Sequence, residues 1–159
     1  MLNLLIIDKD VNNSKLLLNY ISENSCQVRV HSLASNLSEG IKILNTGLID
    51  ITLINLDDDI NSIVNNLHTI SSSYFEKYKK SVLLLSKNID NVAPDSYIYK
   101  CISSEEDISV IFLKISEIVK NKIAQFNNSI LLSKINKELE YIGYNLSYYG
   151  ARYLAEVSH

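Results

Sequence analysis

Asp50-Ile-Thr-Leu-Ile-Asn55 is a short apolar run that closes on an amide. It reads as a buried central strand that carries Asn55 to the carboxyl end of a sheet, the edge at which open α/β folds hold their chemistry. Other apolar runs close on polar residues in the same way. Leu2–Asp8 ends on Asp8, Ser81–Ser86 ends on Ser86, and Tyr97–Lys100 ends on Lys100. Laid parallel, these strands gather Asp8, Asn55, Ser86 and Lys100 along one edge.

Composition narrows the function classes. A chain of 159 residues suits one domain and a short appendage. With 47% hydrophobic and 21% charged residues it is an ordinary globular sequence, and a net charge of −3 leaves no electrostatic footprint for nucleic acid. No apolar run approaches the ~18 residues of a membrane span. Met1–Asp8 lacks a basic leader and a cleavage site, so it reads as a first strand and the expected location is the cytoplasm. Cys26 and Cys101 lie far apart without metal-type spacing, which implies two free thiols. Neither a cofactor nor a catalytic residue is expected.

Helical periodicity fills the gaps between the strands. Leu16, Leu17, Tyr20 and Ile21 share one face of a first helix, with Asn12 or Asn13 as its cap. Gln27–His31 alternates polar and apolar residues, as an edge strand does. Asn36 caps a helix running to about Thr46, with Leu37, Ile41 and Leu44 inward and Gly47 closing it. Asp57-Asp58-Asp59 reads as a solvated loop opening the next helix, whose inward residues are Ile60, Ile63, Val64, Leu67 and Ile70. Ser71–Lys80 reads as a polar link ending in solvated basic residues. Between Ser86 and Tyr97 lie ten residues that include Pro94, too few for a full crossover helix. The helix before the last strand is therefore expected to be reduced or absent. Ser103–Asp107 starts a last long helix, expected to end near Phe126, with Asn127-Asn128-Ser129 as the boundary. His31 and His68 read as surface residues of a strand and a helix.

This order of residues resembles the receiver domain of bacterial response regulators, a flavodoxin/CheY-like fold with a parallel five-stranded sheet. In that family acids after the first strand hold magnesium, an aspartate ending the third strand accepts a phosphoryl group, a hydroxyl ends the fourth and a lysine ends the fifth. The resemblance assigns Asp8, Ser86 and Lys100 to three of these places. It sets Lys9 where a second acid belongs and Asn55 where the acceptor belongs. An amide offers no carboxylate oxygen to form an acyl phosphate. Asp8, Lys9, Asn55, Ser86 and Lys100 thus make a degenerate receiver site without metal, with Asp8 and Lys100 expected to pair with each other or with Asn55. Tyr97 takes the place of the family's switch aromatic, three residues before Lys100; with the neighbouring helix reduced, a partly buried core tyrosine is expected.

Residues 1–127 complete a receiver, and 128–159 form a tail expected to contain two helices, Ile130–Ile142 and about Ser147–Glu156. The tail is rich in tyrosine: Tyr141, Tyr144, Tyr148, Tyr149 and Tyr153, with Leu154 beside the last. That density marks a packing surface, either within the tail or between copies of the chain. The succession Ile142-Gly143, Gly150, Tyr153-Leu154 and Glu156 resembles the opening of the effector domain of the stage zero sporulation protein A family. The chain stops at His159, before that family's recognition helix, and Lys134, Lys137 and Arg152 are offset by Glu138, Glu140 and Glu156. The resemblance implies a non-phosphorylatable pseudo-receiver that works by protein contact with a sporulation regulator, a kinase or a phosphotransferase, or as a homodimer through the tail. A dimeric DNA-binding regulator is the alternative, disfavoured by the charge balance.

Overall fold

The computed structural model describes residues 1–25, 27–70, 75–89 and 95–145, with 75–76 and 140–145 described by backbone alone. Five strands form one parallel sheet: β1 (Leu2–Asp8), β2 (Val28–Ala34), β3 (Ile51–Asn55), β4 (Val82–Ser86) and β5 (Ile98–Ser103), in the order β2-β1-β3-β4-β5. The helices are α1 (Val11–Asn24), α2 (Leu37–Leu44), α3 (Ile60–Leu67), a single turn α4 (Phe75–Tyr78) and α5 (Ile108–Asn145). β3 is the central strand, and the middle strands are buried on both faces, as parallel sheets covered by helices require. Strand alternation sends Leu5, Ile7, Ile54 and Leu84 into one core, where they meet Leu37, Leu44, Ile63 and Leu67 of α2 and α3.

Several local signals hold. Asn36 caps α2, its Oδ1 accepting the N–H of Glu39 at 2.9 Å, and Gly47 adopts φ 77° just past the helix end. Gly40 lies where α2 meets β1: a Cβ there would overlap Cδ1 of Ile7 and sit 2.9 Å from its Cγ1. Other expectations shift. Asp10, not Asn12 or Asn13, caps α1 by accepting the N–H of Asn12 at 2.9 Å, and Ser14 turns inward while Leu16 is exposed. The Ser71–Lys80 link is only partly solvated, because Tyr78 is 1% exposed and its hydroxyl donates to the Leu44 carbonyl at 2.6 Å. Lys77 reaches the Gly47 carbonyl and lies 3.6 Å from Asp50.

Among the described residues of the β4–β5 link there is no helix, so the expected reduction holds for 87–89 and 95–97; residues 90–94 lie outside the described residues. The tail differs from expectation. α5 does not stop at Phe126 but runs unbroken through Asn127-Asn128-Ser129 and through Gly143 to Asn145. No proline interrupts it, and a weak capping signal does not end a helix without a breaker. The chain divides into two compact units at Val119/Lys120, seven residues before the end expected for the first domain. Residues 146–159, with the expected second tail helix and Tyr148, Tyr149, Tyr153 and Leu154, lie outside the described residues, as do Cys26 and the side chains of Tyr141 and Tyr144. Among the described residues, no helix is long and apolar enough to cross a membrane, and Cys101 is a free thiol.

Candidate functional site

The parallel register of β1 and β3 sets Asp8 directly beside Asn55 at the carboxyl edge. Asn55 Nδ2 donates to Asp8 Oδ2 at 3.1 Å, and the backbone N–H of Asp10 donates to Asp8 Oδ1 at 2.8 Å. Each oxygen of this carboxylate therefore receives an N–H donor. Asp8 is 8% exposed. Burial raises its pKa above the usual carboxylate range; the two donors oppose that rise, and the charges of Asp10 and Asp57 add to it.

Around this pair opens a cleft of about 550 Å³, lined by Asp8, Lys9, Asp10, Asn55, Asp57, Lys87, Ser104 and Glu105 among others. A second cleft of about 350 Å³ shares Asn55, Asp57, Lys87 and Ser104 and adds Ser86 with Asp58 and Asp59. The first cleft holds four carboxylates against two lysines. Ser86 is at the edge as expected, but its hydroxyl is engaged with its own loop: it donates to the Asn88 carbonyl and accepts the Asn88 N–H, both at 3.2 Å.

Lys100 is not at this edge, which corrects its assignment to the site. β5 does not end there but continues through Cys101-Ile102-Ser103, and the residue opposite Ser86 is Ser103. Lys100 pairs with Leu83, three residues upstream, roughly 10 Å along the strand. The cause is an irregularity in register between Val82 and Leu83, which inserts an extra β5 residue near Tyr99. Lys100 is exposed, on the side of the sheet where Tyr99 and Lys114 bond Glu117 at 3.1 and 3.2 Å. The Lys114 ammonium, with help from Tyr99 and the charge of Lys100, holds the Glu117 carboxyl below its usual range.

The sheet order, the parallel pairing and the helices that cover it have counterparts among solved structures. The response regulator domain of CheB from Thermotoga maritima is 11% identical with a TM-score of 0.57, the match covering 76% of this chain and 97% of that one. A CheY-like receiver domain protein from Methanospirillum hungatei JF-1 is 18% identical with a TM-score of 0.56, covering 75% and 97%. A chain from the complex of histidine kinase ThkA with response regulator protein TrrA is 18% identical with a TM-score of 0.53, covering 74% and 98%. The fold is that of a response-regulator receiver domain. No protein-family model and no curated protein matches the sequence.

In this receiver fold, Tyr97 is off the switch position. It precedes β5 at the amino edge, its carbonyl accepting the N–H groups of Ser81 and Val82 at 3.1 and 3.0 Å. It is 3% exposed, packs edge-on against His68 at 5.3 Å and belongs to the core. The receiver family's magnesium does not fit the residues present. Among the described residues no three carboxylate, imidazole or thiol groups converge on one point, and both oxygens of Asp8 already accept N–H donors. Lys9 lines the cleft where the second acid would stand. Four lining residues, Asp10, Lys87, Ser104 and Glu105, escape a reading of strand ends. Lys87 was detectable only as the residue after Ser86, whereas Ser104 and Glu105 come to the edge because β5 runs longer than its apolar pattern.

Proposed function

We propose that this chain is a pseudo-receiver, an interaction module that keeps the receiver fold and does not accept a phosphoryl group. The observation that carries this reading is the Asn55 amide at the acceptor position, donating to Asp8 at 3.1 Å. The absence of Lys100 from the edge supports it, since the family's lysine is the charge that would steady a phosphoryl oxygen. The function is then binding, with no chemical step. The partner classes favoured are a histidine kinase, a phosphotransferase or a sporulation regulator. The first two follow from the fold shared with proteins such as TrrA, solved in a complex with a kinase. The third rests on the Ile142-Gly143 to Glu156 succession alone. In that family a helix ends on Ile-Gly, whereas α5 continues through Gly143, a departure within the same window. Such a module occupies its partner without relaying a phosphoryl group.

Incubating the purified chain with radiolabelled acetyl phosphate and magnesium tests the reading. No incorporation, and no change in melting temperature with beryllofluoride, is the expected result. Label that withstands denaturation and is released by hydroxylamine overturns it.

A further inference from the structure

We propose that the side of α5 carrying Phe126, Ile130 and Leu131 pairs two copies of this chain in antiparallel fashion. These side chains are 66%, 40% and 56% exposed. The helix around them contains Asn127-Asn128-Ser129, all poor helix formers, and a lone helix of such composition is marginal in water. Packing must supply what propensity does not.

Charge selects the occupant and its direction. From Ile123 to Ser133 the helix has no charged residue, so this stretch offers nothing for a strongly charged partner to recognise. Lys120 and Glu138, both exposed, flank it. They are eighteen residues apart, five whole turns at about 3.6 residues per turn, so they lie on the same edge of the helix as Leu131. A two-fold pairing centred at Ser129 sets Lys120 against Glu138 of the partner subunit, and Glu138 against the partner's Lys120. A parallel pairing in register would set lysine beside lysine and glutamate beside glutamate. The antiparallel arrangement is isologous and closes at two copies. Leu132 and Ile135 lie on the far side and are not covered by it.

Sedimentation of the full chain over a concentration series tests this. A reversible dimer is expected. Glu138→Lys and Lys120→Glu should each weaken it about tenfold, since symmetry turns two attractions into two repulsions. The double variant should restore it to within about twofold. Circular dichroism on each variant separates lost pairing from lost helix, and these exposed positions leave the sheet untouched. A chain that stays monomeric at millimolar concentration overturns the proposal. So does a dimer indifferent to the single reversals, or one that the double variant fails to restore.

Discussion

Thr52 carries a hydroxyl into the centre of the sheet, 0% exposed, and among the described residues its Oγ1 finds no hydrogen-bond partner. Valine has the same shape without the unpaired oxygen. Thr52→Val should therefore raise the unfolding free energy by about 1 kcal/mol, read as a shift of the urea midpoint at unchanged slope. Asp8 makes a prediction in pH. Its folded-state pKa is raised, chiefly by burial, so the folded chain holds the Asp8 proton more tightly than the unfolded chain. The stability this gives is fully present below the ordinary value of 3.8 and is lost as pH rises through the raised value. Measured against Asp8→Asn, wild type should lose stability with rising pH across that window and level off above it. A difference independent of pH would show that Asp8 is not held in the way its burial implies. Nothing in the residue string announces this environment, because Asp8 is buried by partners that arrive from β3 and α1.

At the scale of elements, α2 seats on β1 because Gly40 has no Cβ to meet Ile7. Gly40→Ala adds helix propensity but forces a fully buried isoleucine to move, and overpacking of this kind costs about 1–3 kcal/mol. Ile7→Val removes the overlapped Cδ1, so Gly40→Ala should be less harmful in that background than in wild type, the difference read from a thermal-unfolding cycle. The elements also show what a sequence discloses. β1, β3 and β4 were legible because each is a dense apolar run buried on both faces, and the α2 cap was legible because Asn36 and Gly47 act locally. β5 was not, since its length depends on pairing with β4 and on a register irregularity that no residue encodes alone. α4 was missed because one turn shows no period, and Tyr78 is buried by Leu44, thirty-four residues away. The uninterrupted α5 overrode a cap-like Asn-Asn-Ser, as tertiary and helical continuity regularly override weak local preference.

For the whole molecule, the fold and the state of its site separate. The sheet and its covering helices need the apolar pattern, while the edge chemistry needs a few residues in register, and the second has changed without the first. Asn55→Asp probes this. It would place a carboxylate against Asp8 with Asp57 nearby, and like charges at a half-buried edge oppose one another. The variant should be less stable than wild type at neutral pH, recover on acidification, and take up no label from acetyl phosphate.

The extra β5 residue near Tyr99 has a consequence for the history of such a chain. A lost carboxylate can return by changing one codon. A lysine displaced along its strand cannot, because moving it requires a deletion, and a deletion of one residue would turn the rest of β5 over and expose Ile102 to water. Every intermediate on that route would be a poorly folded protein. The irregularity thus acts as a ratchet: once the strand had accepted it, descendants of this chain were free to change partners, but not to resume the trade they had left.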